Sequence, residues 1–347
     1  MYIMSSIDAS GFGPGCCRPY PISYSPPAPV CTVSVSRPGR RCRTLLGPRD
    51  EELLDDPIAA APPVIATRVV RTLDVSAASG LVLRDGLFHV VADDENALFV
   101  FGPQGPTRHV TLLPDELPIK KSARKARKPD LEILVDLPGA GLLAMGSGSR
   151  PTRERAFLVD CDEAVTVIDT SELHAVLRAT FPDLNLEGAV VAGDEFALLQ
   201  RGNRGDGRNA LVLIAMQDLQ QALASRRFSV TRAPRIVALE LGTHAGLPWT
   251  CTDLHRCDDG DLLACAVLED TNDSYRDGSC HGSALVRLAP DGTVRWLRRL
   301  DTASKVEGIA VEGNTLWMVS DADDRDVPAQ LLEAALPCMQ AETPHLP

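Results

Sequence analysis

Five residues with oxygen-bearing side chains, Ser79, Glu132, Glu187, Asp253 and Glu307, recur at intervals of 53, 55, 66 and 54 residues, each at the head of an apolar run. Carboxylates gathered in one place repel one another, so they stay hydrated, share protons or bind a cation. Oxygen donors with no sulfur or imidazole among them favour Ca²⁺, and Mg²⁺ second, over zinc. Whether the five side chains meet depends on the elements between them, and a period of this length belongs to propellers and solenoids.

Each interval carries the same pattern. The opener leads into a first strand, such as Gly80 to Leu83 or Gly308 to Val311. A tight turn follows at Asp85-Gly86, Gly139 to Gly141, Gly193-Asp194, Asp259-Gly260 or Gly313-Asn314. Glycine, Asn and Asp supply the positive φ that hairpin turns demand. Second strands start at Leu87, Leu142, Phe196, Leu262 and Leu316, and third strands open on Ala97, Ala156, Ala210, Ala284 and Ala329. Fourth strands start at His109, Ala164, Arg235 and Thr293, and the fifth unit runs out of chain. A spare strand at 65–73 precedes the first unit, and pairing it beside 329–333 would hide two sheet edges. The expected fold is therefore all-β: a five-bladed β-propeller with four-stranded blades, closed by its N-terminal strand. A sixth blade has no sequence to build it, since the longest interval holds one unit plus a helical stretch at 217–224.

Residues 1–60 differ in kind. They are rich in Pro, Ser, Gly and Cys without periodic apolar pattern, which predicts a disordered tail ahead of a propeller domain over 61–347. The tail lacks the apolar centre of a secretory signal, and no run in the chain reaches the roughly 18 apolar residues of a membrane span. With 44% hydrophobic and 24% charged residues, the composition is that of a soluble, cytoplasmic globular protein. The 10 cysteines form no zinc or redox spacing. Net charge is −12 over the whole chain, and residues 1–50 carry six Arg against two Asp, so the remainder is more acidic still. Such a body does not suit nucleic acid, because phosphate neutralisation needs a basic surface.

In a propeller, the start of each innermost strand and the loop from the second strand to the third share one face. The five openers would ring the channel mouth as metal ligands. The loops add Asp93 and Asp94, Gly146 to Arg150, Gln200 to Arg204, Glu269 to Asp273, and Ser320 to Arg325. Arg201 could clamp a carboxylate or phosphate, or form a salt bridge to a neighbouring acid. His255, two residues past Asp253, reads first as a structural or solvated histidine and second as a base, the one histidine placed for that role. Six cations between Lys120 and Lys128 read first as a solvated loop and second as a phosphate-capturing patch. The segment Gly146 to Ser149 could form an anion nest but lacks the Gly-Lys-Ser/Thr of a P-loop.

Ser79-Gly80 with Asp93-Asp94, Asn185 to Gly188, and Lys305 to Ala310 followed by Val319 to Asp321 resemble an uncharacterised group of bacterial β-propeller proteins. They are also similar to esterase-like phytase propellers, where Glu-Gly and Ser-Asp segments recur. The five-blade pattern with one oxygen ligand per innermost strand resembles the calcium-activated nucleotidases (apyrases). That resemblance implies a channel calcium held at Ser79, Glu132, Glu187, Asp253 and Glu307, although no matching set of phosphate-binding arginines is present. The function expected is a calcium-dependent hydrolase of a phosphoester or related ester, the metal polarising the substrate. Asp93, Asp94 or Asp321 would act as base, with Arg201 and Lys305 as charge stabilisers. The competing expectation is a non-catalytic binding or scaffold propeller with a structural cation or none. Partners would be a small anionic substrate or a peptide, with no membrane and no obligatory assembly.

Overall fold

Alternating apolar residues broken by glycine-bearing turns set up a succession of antiparallel hairpins in the computed structural model, which describes residues 64–202, 208–270 and 279–337. The expected disordered tail at 1–60 lies outside the described residues. Strand β1 (Ile65–Thr72) comes first, followed by a sheet of β2 (Ala78–Arg84), β3 (Leu87–Ala92), β4 (Ala97–Phe101) and β5 (Arg108–Thr111). Helix α1 (Lys121–Arg127) leads to a second sheet of β6 (Leu131–Leu137), β7 (Gly141–Gly146), β8 (Arg155–Val159) and β9 (Val165–Asp169). After α2 (Ser171–Arg178) a third sheet forms from β10 (Leu186–Ala192), β11 (Glu195–Gln200), β12 (Asn209–Ala215) and β13 (Arg235–Leu239), with α3 (Met216–Ser225) inserted before β13. The short β14 (Thr243–His244) pairs with β15 (Leu247–Arg256), which continues through β16 (Leu262–Glu269), β17 (Cys280–Leu288) and β18 (Val294–Asp301). Last come β19 (Lys305–Glu312), β20 (Thr315–Asp321) and β21 (Gln330–Ala335). Strand β1 lies antiparallel to β21, with Thr67 opposite Ala334, and its first residues run parallel to β18, joining these strands into one nine-stranded sheet.

The innermost strands neighbour one another in turn: β2 with β6, β6 with β10, β10 with β15, β15 with β19, and β19 with β2. The hydrophobic core follows the same order. Leu98, Val100 and Phe157 belong to the cluster between the first and second sheets, and Met145, Leu173 and Phe196 to that between the second and third. Trp249 and Leu199 pack together, as do Leu285 and Met318, and Phe88, Val90 and Leu331 join the last strands to the first. Sheets that pack face to face around an axis, one apolar layer between each pair, make a β-propeller.

Glycine fixes how tightly the inner strands approach. A Cβ on Gly188 would lie 2.7 Å from the Leu254 amide nitrogen, and one on Gly308 would lie 2.3 Å from the Ser79 carbonyl oxygen. Gly80 meets the Leu134 amide at 2.7 Å. The Ser-Gly and Glu-Gly steps of the sequence thus mark backbone-to-backbone contact between successive inner strands, which any side chain would separate.

The sequence reading places the strands well and underestimates the helices. Helix α3 matches the expected 217–224 stretch, α1 occupies the charged run read as a solvated loop, and α2 falls where no element was expected. Within α1, Pro129 bars continuation, and Lys128 leaves the helix with extended backbone (φ −57°, ψ 145°). Cys251 and Cys265 are buried, and Cys161 is exposed. No helix among the described residues is long and apolar enough to cross a membrane.

Gly308→Ala should destabilise the protein by about 3 kcal/mol or more in urea denaturation, because the added carbon collides with backbone. Gly86→Ala, where nothing lies within 4 Å, should cost only about 1 kcal/mol from its positive φ.

Candidate metal and substrate site

Each inner strand carries a register irregularity at the same level. The pairing jumps between Ala78 and Leu81, Leu131 and Ile133, Leu186 and Gly188, Cys251 and Asp253, and Val306 and Gly308. A bulge re-aims the side chain it leaves unpaired. The residues skipped are Ser79 with Gly80, then Glu132, Glu187, Thr252 and Glu307. Four of the five openers sit at that position, and in the fourth sheet the position falls on Thr252, one residue before Asp253.

That single step changes what Asp253 does. It is 2% exposed, and its carboxylate accepts hydrogen bonds from the Leu254 amide at 2.7 Å and the Ile309 amide at 2.8 Å, tying β15 to β19. Thr252 Oγ1 donates to the Val306 carbonyl at 2.9 Å across the same seam. Ser79 Oγ donates to the Ala77 carbonyl at 3.3 Å.

Glu187 and Glu307 meet cations instead. Arg201, 6% exposed at the end of β11, places Nη1 3.4 Å from Glu187 and 3.7 Å from Glu307, while Nη2 binds Glu269 of β16. Lys305 Nζ lies 2.9 Å from Glu307, 3.1 Å from Asp323, 3.6 Å from Asp321 and 3.8 Å from Glu269. Two cations thereby tie together carboxylates at the ends of β10, β16, β19 and β20. Arg201 Nε and Glu307 Oε2 are buried with no hydrogen-bond partner among the described residues.

A second cluster forms where β6 begins. Asp93, Asp130 and Glu132 each bring a carboxylate oxygen within 4.8 Å of the other two. Lys128 turns inward after α1 and binds Asp93, and its Nζ lies 2.9 Å from Asp130. Asp130, held at φ +56°, also receives Arg153 Nη1 at 2.7 Å and a hydrogen bond from Ser147 Oγ. Ser149 Oγ accepts from Arg153 at 2.6 Å, so the glycine-serine segment supports this cluster through its hydroxyls. Glu132 feels the ammonium of Lys128 on one side and the like charges of Glu187, Asp130 and Asp93 on the other. A cleft opens above the cluster, lined by Asp93, Lys121, Lys125, Lys128, Asp321 and Arg325 among others.

Burial controls the protonation of these groups. It pushes Glu187 up to about 8, opposed by Arg201 and reinforced by Glu307. Glu132 is held well above the usual carboxylate range by burial and then by Glu187 and Asp130. Burial also raises Glu307, Asp93 and Asp321. In Asp130, burial is outweighed by Lys128 and Arg153, which hold its carboxyl low. Burial would lower the Lys128 ammonium, but Asp130 and Asp93 raise it, so it stays charged.

Of the expected site residues, Glu187, Glu307, Arg201 and Lys305 meet in one network, and Asp93 meets Glu132 in the other. Asp321 lies between them, beside Lys305 and in the cleft wall. Asp94 is pinned by Arg124 Nε at 3.5 Å and Arg325 Nε at 3.2 Å. His255 is neutral, burial lowering it to about 4. The loop residues Asn203, Arg204, Asn272 and Asp273 lie outside the described residues. Lys128 and Arg124, read from the charge run as solvated, are buried. Their inward turn had a signal: Lys128, Asp130 and Glu132 alternate at period two, and Pro129 stops the helix.

The sheets, their cyclic packing and this polar channel define a β-propeller protein. The chain belongs to a family of unknown function, DUF6929, whose model matches residues 74–336. No curated protein matches the sequence. Similar solved structures include virginiamycin B lyase from Staphylococcus aureus, at 9% identity and TM-score 0.42 over 78% of this chain and 100% of that one. A luciferin-regenerating enzyme gives 12% identity and TM-score 0.40 over 75% and 77% of the two chains. The PQQ-bound aldose sugar dehydrogenase of Streptomyces coelicolor gives 12% and 0.35 over 79% and 100%.

Two outcomes follow for the isolated protein. Glu187 has its folded value raised from 4.5 to about 8, so the stability it contributes is complete below 4.5 and is lost as pH rises through about 8. In chelator, the melting temperature should fall by roughly 5 °C between pH 6 and 9, and Glu187→Gln should flatten that decline. Asp253→Ala should cost about 2–4 kcal/mol in urea denaturation by orphaning two buried amides, and Asp253→Asn, which retains one acceptor oxygen, less.

Proposed function

We propose that this protein is a five-bladed propeller, sealed by β1, that works as a calcium-dependent hydrolase of a phosphoester or related ester at its channel mouth. The cyclic order of inner strands and the β1–β21 pairing support the blade count and closure. The observation that carries the site is the convergence of Asp93, Asp130 and Glu132, whose carboxylate oxygens lie within 4.8 Å of one another. Three hard oxygen donors suit Ca²⁺, with Mg²⁺ the less suitable ion because it demands a stricter octahedron. This grouping differs from the ring of five openers, in which Asp253 serves backbone amides and Glu187 and Glu307 serve Arg201 and Lys305. A bound divalent ion supplies Lewis acidity toward an ester or phosphoryl oxygen. The cleft wall holds Lys121 and Arg325 for an anionic substrate and Asp321, raised by burial, as the proton acceptor. Arg201 and Lys305 hold the blades, and their charges are taken up by Glu187, Glu269 and Glu307.

A second reading rests on the same network. Arg201 and Lys305 fasten three blades with no metal at all, which is what a binding or scaffold propeller for a peptide partner would require.

Calorimetry on the full chain after chelator treatment separates the two. The parent should bind calcium with micromolar affinity, and Glu132→Gln should weaken it about tenfold or more. Calcium should also be needed for hydrolysis of p-nitrophenyl phosphate, p-nitrophenyl acetate or a lactone. Binding without turnover supports the scaffold, and no binding at all removes the metal site.

A further inference from the structure

Arg325 reaches along the cleft from the loop between β20 and β21. Its Nε lies 3.2 Å from the Asp94 carboxylate in the loop after β3, and its Nη1 donates to the Ile119 carbonyl ahead of α1 at 3.4 Å. The Arg325 side chain is nevertheless 41% exposed. The shape of its loop does not depend on these contacts. The Ala322 amide donates to the Ser76 carbonyl at 3.1 Å, and the Asp324 side chain and carbonyl accept from the amides of Asp326 and Val327, both at 3.0 Å. Asp94 does not depend on them either. Arg124 Nε lies 3.5 Å from its carboxylate and donates to its carbonyl at 2.8 Å, while Arg124 Nη2 binds Glu95. Arg325 can therefore leave Asp94 by rotation about its own side-chain bonds without stranding a buried charge.

We propose that Arg325 is the gate of the cleft: it rests on Asp94 in the free protein and turns onto the phosphate group of an entering phosphoester. The proposal rests on the anionic-substrate reading of the cleft given above. The exchange is favourable because the two contacts differ in strength. An ion pair this exposed contributes little, whereas a guanidinium fork that meets two phosphate oxygens makes a bidentate, charge-assisted contact. Lys121 and Lys125, four residues apart on α1, line the same cleft and add charge of the same sign. The acids elsewhere in its wall are engaged: Asp323 and Asp321 lie 3.1 and 3.6 Å from Lys305 Nζ, and Asp93 binds Lys128. An anion is therefore drawn to the side where α1 and Arg325 stand. Resting on Asp94 lowers the apparent affinity for that anion, since only the fraction of molecules with Arg325 released is competent to use it. It also selects among esters. A phosphate group offers the fork two charged oxygens and outcompetes the Asp94 carboxylate, and a neutral carboxylic ester does not.

Calorimetry on the full chain, with phenyl phosphate and inorganic phosphate as probes, tests the gate. Phenyl phosphate should bind the parent at least as tightly as inorganic phosphate. Asp94→Asn, which releases Arg325 and keeps the shape of the residue, should tighten phenyl phosphate binding by at least about threefold, and the gain should vanish when Arg325→Gln is added. Arg325→Gln alone should weaken binding about tenfold and leave the melting temperature in phosphate-free buffer within about 2 °C of the parent, because the pair it breaks is exposed. That arm does not need the Asp94 variant to fold. An Asp94→Asn protein that binds no more tightly than the parent overturns the gate and leaves the anionic cleft standing. A gain that persists without Arg325 overturns it too, as the mark of a general electrostatic effect. So does a loss of less than about twofold in Arg325→Gln. Binding of inorganic phosphate alone overturns a phosphoester as the ligand, and no binding of either probe by parent or variants overturns the anionic-substrate reading and this inference together.

Discussion

The inner strands of this propeller touch backbone to backbone, and most of the molecule follows from that contact. Gly80, Gly188 and Gly308 have no room for a Cβ, each facing a backbone atom of the neighbouring inner strand at 2.3–2.7 Å. Strands this close leave a narrow channel. The bulge beside each contact turns one side chain out of the pleat, so polar residues from all the inner strands are aimed into the same confined space. Apolar side chains on the opposite faces meet between sheets, which is why the core divides into layers rather than forming one central mass.

Charges confined in this way must be neutralised locally, and the chain uses two arrangements. Around Glu187, Glu269 and Glu307 it places a guanidinium, whose planar fork reaches several carboxylates at once, and an ammonium with four acidic neighbours. Removing either cation would strand buried carboxylates, a larger penalty than the ion pairs return as net stability. Around Asp93, Asp130 and Glu132 the neutralisation is incomplete. Two cations, Lys128 and Arg153, face three carboxylates, and Lys128 also lines the cleft.

The period of the openers, their glycine neighbours and the turn residues made the blades legible, because each is a local requirement of a hairpin or a strand contact. What escaped is what depends on register. A bulge adds one residue without altering composition, and a one-residue slip exchanges the faces of a strand. Asp253 shows the result: its type matches the other openers, but the channel position belongs to Thr252, and the aspartate binds amides of β15 and β19. Lys128 escaped for a different reason. In a run of six cations, sequence alone does not distinguish the one that turns inward from those in water, unless Pro129 is read as the end of a helix and the alternation through Glu132 as the start of a strand.

The location of the chemistry follows from mobility as much as from charge. Arg201 joins acids of β10, β16 and β19, so it cannot leave without loosening the contacts among those strands. Lys128 joins Asp93 in one loop to Asp130 at one strand start, and its side chain lines the cleft. On the metal reading proposed above, that difference favours the cleft beside α1 and Asp321 over the channel axis that the repeat alone suggests.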